Sequence, residues 1–595
     1  MSAAPAETVR LDGKSLTRAQ LVAVARGASV ELDDGALRDV ARAADFLAAQ
    51  VARGEPIYGV STGFGSNADK LLAADGPLRE QLQRNLIVTH AVCVGEPFAP
   101  DVVRAMLCIR INTLLRGHSG IRVSTLQALA AMLNAGVVPV VPQLGSVGAS
   151  GDLAPLSHLA IVLLGGGEAF FDGERLPGDE ALRRAGLAPA TLTIKEGLAL
   201  NNGTAQMLAT GVLALAKLEA LADTADLAAA MTLEAFAGRS GAFAEPVHAL
   251  RPHPGQVHVA ARLRALLAGS SLIDIDYDLV PRFAPGALGA QRFDLAWRWD
   301  GERIHGGKKR QPQDSYSLRC VPQVHGAVRD ALAQAARVLE IELNAVTDNP
   351  LVFPDAGDGQ AVVSAGHFHG MPLALAMSYV KAAIPVLASI AERRLNKLVD
   401  PATNDGLPAF LVGNADGTES GFMIVQYTAA AIVNDLASRA MPAAVYSIPT
   451  SANAEDHVSM GANEARHVLA MADDLGKVLA LELFTAAQAL ELRLRMLAAA
   501  RDLAGDADAF AARVQGGPAG DDAACAAFRA GVDALRADLR DAGSFHPGRA
   551  VAAAHAAIRT RIAFLDRDRA LDGDVRAAMQ MLAGGSVLAA ARAAD

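Results

Sequence analysis

The chain has 595 residues, more than one ordinary hydrophobic core accommodates, so it requires several domains or one large extended helical architecture. Apolar residues make up 51% and aromatics only 4%, with Ala and Leu prominent, which predicts a mainly α protein. The net charge of −10, from 54 Lys plus Arg against 64 Asp plus Glu, is spread without a long single-sign block and argues against a nucleic-acid partner.

In chain order, the residues up to about Arg10 read as disordered, and helical spacing of Leu, Val and Ala then covers 15–25 and 35–52. Ile57-Tyr-Gly-Val-Ser-Thr-Gly-Phe-Gly65 sets three glycines around Tyr58, the pattern of a mobile loop rather than a core element. Helices are predicted over 78–88, 100–116 and 124–135, and the Pro/Gly-rich residues 137–151 then break the pattern. Residues 163–177, with Gly165-Gly-Gly167 and Asp172-Gly173, predict the only small hairpin in the chain.

From Asn202 onward long Ala/Leu runs dominate. Residues 276–312, with Trp297-Arg-Trp-Asp-Gly and Lys308-Lys-Arg310, read as a polar insertion and a solvated loop. Residues 372–398 show little polar face before Glu392, Arg393 and Arg394, which predicts a buried helix kinked at Pro385. Val468, Met471, Leu475, Leu479, Leu483, Leu490, Leu494 and Leu497 keep helical spacing for about nine turns, a length that suggests a helical bundle. Gly516-Gly-Pro-Ala-Gly520 marks off a C-terminal helical appendage. The expected division is 1–225, 226–505 and 506–595, with no internal repeat.

The four cysteines, Cys93, Cys108, Cys320 and Cys525, lie far apart without a Cys-x-x-Cys pair or a signal-peptide pattern, which predicts reduced thiols in a cytoplasmic protein. Uncharged windows at 197–216 and 361–380 approach membrane length. Their Asn, Gly, Thr or His residues favour buried segments over membrane spans.

The chemically richest stretch is Gly145-Ser-Val-Gly-Ala-Ser-Gly151, continuing Asp152-Leu-Ala-Pro-Leu-Ser-His158. An isolated Ala-Ser-Gly is ordinarily a turn before a helix. The spacing of Gly145, Gly148 and Gly151 also suggests a phosphate cradle, but neither a Gly-Lys-Ser/Thr nor a strand-turn-helix fingerprint accompanies it. A third reading is electrophilic. If the amide nitrogen of Gly151 attacks the carbonyl of Ala149 and two waters are lost, one from that carbonyl and one from the Ser150 side chain, Ser150 becomes an exocyclic methylidene on an imidazolone ring (MIO). Gly at 151 keeps the nitrogen uncrowded and tolerates the compressed backbone.

Further polar motifs accompany this one: Tyr58 in its loop, Thr89-His90, Asn201-Asn-Gly203, Gln313-Asp-Ser-Tyr-Ser-Leu-Arg319, His367-Phe-His369 and Asn453-Ala-Glu-Asp-His457. Together, over about residues 10–500 and in the same order, they resemble the aromatic amino acid ammonia-lyase and aminomutase family, and within it the histidine ammonia-lyase branch. The resemblance implies a mainly α subunit with a smaller N-terminal MIO-bearing region on a long central helical bundle. It also implies a homotetramer with active sites shared between chains.

By the same resemblance, Ala149, Ser150 and Gly151 form the MIO autocatalytically and no metal is needed. Tyr58 is then the catalytic base, Asn202 and Gln313 contact the prosthetic group or the substrate carboxylate, and Tyr316 assists near the amine. Arg319 holds the carboxylate, and Phe368 packs by the substrate ring. In histidine ammonia-lyases a hydroxyl residue followed by His, and an acidic residue, stand where this chain has Thr89-His90 and Glu455.

These roles have physical reasons. Ammonia elimination removes a weakly acidic β-hydrogen while a poor leaving group departs, so an electrophile that captures the amine and a poised base divide the difficulty. An ordinary tyrosine (pKa ~10) is protonated at neutral pH, so the base role calls for cationic or dipolar groups around it. Arg319 presents a planar fork for a carboxylate, and Tyr316, three residues earlier, shares its face on a helix or tight turn. Glu455 can accept an imidazole N–H while His90 bonds the other ring nitrogen. Phenylalanine would leave both groups unsatisfied.

Against the family pattern, His367 stands where Asn usually precedes Phe-His, Ala454 stands where Gln usually precedes Glu, and residues 276–312 form a longer insertion. Tyrosine or phenylalanine ammonia-lyase and 2,3-aminomutase activity therefore remain alternatives to L-histidine elimination. Two readings of other kinds are a metal enzyme built on His367, His369, His457 and Glu455, and a non-catalytic helical scaffold.

Overall fold

The computed structural model describes residues 8–63, 76–284, 295–306, 313–356, 361–412, 417–520 and 523–594. Helices dominate, as the Ala/Leu-rich composition predicts, and they build a large bundle whose longest members are Ala205–Ala235, Met371–Val399 and Gly461–Leu503. Along Gly461–Leu503 the expected stripe is the packed one: Val468, Met471, Leu475, Leu479, Leu483, Leu490 and Leu497 are buried and Leu494 is half-buried. Ala205–Ala235 and Met371–Val399 are long and apolar enough to cross a bilayer by length and composition.

The chain forms two compact units, each discontinuous in sequence: Met1–Lys217 with Leu332–Ala382 and Met441–Ala470, and Leu218–Ala331 with Ala383–Ala440 and Met471–Asp595. The first unit opens on strand Thr8–Leu11, paired in parallel with Ser29–Leu32. Disorder up to Arg10 is thereby corrected for residues 8–10. Val9 and Leu11 are buried while Thr8 and Arg10 face out, an alternation that the short polar-looking sequence concealed.

Helix Arg18–Ala25 starts on a capping box between Thr17 and Gln20, and Asp33 caps Asp34–Ala52. Helices Gly76–His90, Pro100–Leu114 and Val123–Asn134 follow where the periodicity puts them. The predicted hairpin pairs Glu168–Phe171 with Glu174–Pro177 across Asp172 (φ 49°) and Gly173 (φ 82°), and Val138–Pro139 extends it to three strands. It is not the only one, since Leu351–Val352 pairs antiparallel with Val362–Val363.

In the second unit, the reading of 276–312 as a solvated loop is corrected. Strand Leu295–Trp299 pairs with Arg282–Phe283, Ile304–His305 and Val514–Gln515. Trp297 is fully buried, donates its indole N–H to the Asp278 carbonyl at 3.0 Å and sits 4.9 Å, ring to ring, from Phe510. The apolar side chains at 295–297 and 299 outweigh the charges around them. Residues 285–294 and 307–312, which include Lys308, Lys309 and Arg310, lie outside the described residues. The helices after residue 506 also belong to this unit.

Met371–Val399 is not buried all round. Leu373, Met377, Ile384, Leu387 and Leu395 are packed, whereas Leu375, Tyr379 and Val386 are exposed. Pro385 lies inside this helix. Buried charges interrupt the apolar faces: Arg394 donates from Nε and Nη2 to Glu482 at 2.5 and 2.9 Å, with both side chains fully buried.

Glu234 is a buried acid without a cation. Its Oε1 accepts the Gly548 N–H at 2.7 Å, and burial pushes the carboxyl up to about 8 against that bond and the nearby Ser270 hydroxyl. An unfolded Glu titrates near ~4.3. Between those values the folded protein holds a proton that the unfolded chain has lost, so stability falls as pH rises through the window. In Glu234→Gln this loss is absent, and the drop in thermal midpoint from about pH 5.5 to about pH 8.5 is smaller than in wild type by differential scanning fluorimetry.

Candidate active site

The Ala149-Ser150-Gly151 turn is held from below by backbone. Gly151 (φ 73°) forms a parallel bridge with Gly203, and a Cβ at Gly151 would lie 2.2 Å from the Gly203 carbonyl oxygen, so no side chain fits. The next amide, Asp152 N–H, donates to that same oxygen at 2.7 Å. Asn202 Nδ2 donates to the Ser150 carbonyl at 2.8 Å, while its buried Oδ1 has no partner. On the far side of that peptide, Arg110 donates from Nη1 to the Asn202 carbonyl at 2.6 Å. Burial pushes this guanidinium down to about 10.

Asp152 anchors the turn to the start of helix Ala205–Ala235. Its Oδ2 accepts the Gln206 and Met207 N–H groups at 2.9 and 3.0 Å, and its Oδ1 accepts the Ser146 hydroxyl at 2.8 Å. Burial pushes the carboxyl up to about 7, against the pull of these donors. A turn without side-chain bulk at 151, gripped on both sides and carrying an unpartnered amide oxygen at Asn202, fits an imidazolone ring at 149–151.

Above the turn, a cavity of about 660 Å³ in the first unit is lined by Tyr58, His90, Ala149, Ser150, Asn202, Phe368 and Glu455. Seven of the sequence-predicted residues, far apart in the chain, thus meet in one place. The Ser150 hydroxyl donates to Glu455 Oε1 at 2.5 Å, and Thr450 Oγ1 donates to Glu455 Oε2 at 2.7 Å. His90 Nδ1 is 3.1 Å from the Thr89 hydroxyl. Burial holds its imidazole below the usual histidine range, opposed by the Leu86 carbonyl and the Glu455 charge.

Side-chain hydrogen bonds hold the described part of the Tyr58 segment. Ser61 Oγ accepts the Ile57 N–H at 2.7 Å and donates to the Glu55 carbonyl at 2.8 Å, and Gln83 Nε2 donates to the Gly59 carbonyl at 3.1 Å. These side-chain bonds replace the ladder that a glycine-rich segment lacks. Phe64 and Gly65 lie outside the described residues.

Gln313, Tyr316 and Arg319 belong to the second unit and are not among the lining residues. Tyr316 and Arg319 sit on the short helix Tyr316–Arg319 and share a face as expected, with the guanidinium 4.7 Å from the ring centroid. Gln313 is exposed, Tyr316 is 72% exposed, and Arg319 Nε donates to the Asp314 carbonyl at 2.9 Å.

Sequence reasoning missed Asp152, Arg110 and Asn349 as parts of the site. An Arg inside the apolar run 100–114 and an Asn in Asp348-Asn-Pro350 were the available signals. His369 and His457, which also line the cavity, stack at 5.8 Å. Among the described residues, no group of three or more His, Cys, Asp or Glu could hold a metal ion.

The profile of the aromatic amino acid lyase family matches residues 16–514. A histidine ammonia-lyase of Symbiobacterium thermophilum is 44% identical over 588 residues, 99% of each chain. Among solved structures, histidine ammonia-lyase from Trypanosoma cruzi superposes with a TM-score of 0.78 at 34% identity, covering 98% of this chain and 95% of that one. A tyrosine aminomutase from Streptomyces globisporus gives 0.80 at 31% identity, covering 99% of both.

The chain belongs to the aromatic amino acid lyase family. It is a carbon–nitrogen lyase that eliminates ammonia non-oxidatively from an aromatic amino acid, and with its family it depends on the MIO electrophile.

Proposed function

We propose that this enzyme converts L-histidine to urocanate, with its MIO formed autocatalytically from Ala149, Ser150 and Gly151, as a cytoplasmic homotetramer. The observation that carries the substrate is Glu455, a carboxylate 2.5 Å from the Ser150 hydroxyl in a cavity that also contains His90. An imidazole there has an acceptor for one ring nitrogen and a partner for the other, whereas a phenyl ring would strand both groups. The MIO supplies the electrophile that makes the amine a better leaving group. Tyr58 removes the β-proton, Asn202 steadies the ring through its amide, and Phe368 packs against the imidazole.

Gln313, Tyr316 and Arg319 act in this reading on the site of another copy of the chain. Arg319 pairs with the α-carboxylate, beside Gln313, and Tyr316 stands near the amine. Two features support the assembly. The lining of the cavity contains neither Lys nor Arg among the described residues, and each unit displays apolar side chains: Met441, Val445, Tyr446 and Ile448 on the first, Ile424 and Tyr427 on the second. Four free, widely separated cysteines agree with a reducing compartment.

Intact-mass analysis of the wild-type enzyme gives a chain lighter than its translated formula by two waters, and Ser150→Ala loses this deficit, the near-ultraviolet absorbance of the ring and turnover. With histidine as substrate the main product is urocanate. A β-amino acid as the main product would assign the chain to the aminomutases instead.

Glu455→Gln keeps the side-chain volume but weakens the acceptor. It lowers kcat/KM for histidine by roughly ten- to a hundredfold, with phenylalanine turnover unchanged or higher. Equal loss on both substrates would remove Glu455 from ring recognition. Gel filtration with light scattering reads four chains per particle, and a stable monomer contradicts the shared site.

A further inference from the structure

A second cavity of the first unit, about 440 Å³, is lined by Lys14, Arg42, Arg116, His118, Phe353 and Asp355, with Asp39 beside them. Its charges are unequally satisfied. Arg42 Nη1 donates to both oxygens of Asp355 at 2.8 Å, and its Nη2 lies 3.5 Å from Asp39, so one guanidinium holds both carboxylates. Lys14 meets Asp12 through its backbone N–H and not through its ammonium. Arg116 Nε is buried without a hydrogen-bond partner. Lys14 and Arg116 thus both line the cavity, and among the described residues no carboxylate pairs with either.

A partly buried cation without a counter-charge is costly, and Arg116 keeps an unmet donor beside the cavity it lines. An oxyanion is the matching group, because it accepts charge-assisted bonds from a planar fork and an ammonium together. His118 adds a third contact. Its Nδ1–H donates to the Val352 carbonyl at 2.9 Å, which leaves Nε2 to accept from a hydroxyl or, when protonated, to donate. Phe353, 5.2 Å from the His118 ring, offers an apolar wall for the body of a small molecule.

We propose that this cavity binds a small oxyanion, a phosphate or carboxylate group, between Lys14 and Arg116. The site has a covalent route to the active-site wall. Val352 N–H donates to the His118 carbonyl at 2.9 Å, so Val352 is clamped to His118 in both directions. Three residues before it, Asn349 lines the larger cavity and accepts the Ala365 N–H at 2.6 Å.

Calorimetric titration of the full-length enzyme with inorganic phosphate and, separately, with citrate, at constant ionic strength set by chloride, tests the proposal without reference to the substrate. Saturable binding of either anion, weakened about tenfold in Lys14→Ala and in Arg116→Gln, is the expected result, and the tighter anion identifies the headgroup. Lys14 is exposed, so Lys14→Ala keeps the test valid if Arg116→Gln fails to fold. Binding unaltered in Lys14→Ala, or no saturable binding of either anion, overturns it.

Discussion

The active site depends on two glycines in contact. Gly151 and Gly203 approach so closely that a methyl group on the first would overlap the carbonyl of the second, and this contact joins the Ala149-Ser150-Gly151 turn to the turn that carries Asn202. The backbone conformation at 151, with φ at 73°, belongs to glycine on steric grounds. Asn202 can reach the Ser150 carbonyl only because nothing larger than hydrogen separates the two turns. The close approach of the two turns is thus set by the absence of side chains.

Charge then fixes what packing has brought together. Arg110 grips the Asn202 peptide, and Asp152 holds Ser146 together with the first turn of helix Ala205–Ala235. Nearby, Lys195 and Asp348 form a fully buried pair at 2.5 Å, just before Asn349 enters the cavity wall. Buried charges of this kind are expensive to break because the remaining partner is left unsatisfied. They give positional definition around a cavity whose floor, by contrast, is made of small residues.

The cavity of one chain gathers two acids, histidines, a tyrosine and an aromatic wall, but the arginine suited to a carboxylate sits on the half-buried helix Tyr316–Arg319 of the second unit. The exposed Tyr316 ring stacked on the half-buried Arg319 and the uncovered apolar residues along Met371–Val399 are the surfaces that the proposed assembly covers. In the proposed assembly, catalysis and association share these surfaces.

The sequence by itself determined the helical class, the long packed stripe of Gly461–Leu503 and the turn chemistry at 145–151. Each of these rests on local rules: apolar spacing of about 3.6 residues, and the need for glycine where φ is positive. Resemblance to the ammonia-lyase family, carried by motifs in the same order, picked out Tyr58, His90, Asn202, Phe368 and Glu455. Tertiary structure alone decided that these residues meet over Ser150, that Trp297 is buried in a strand rather than solvated, and that the compact units interleave along the chain. It also decided which charges carry the site: Arg110 and Asp152 matter through partners about 50 to 90 positions away, a separation that no periodicity or local propensity encodes.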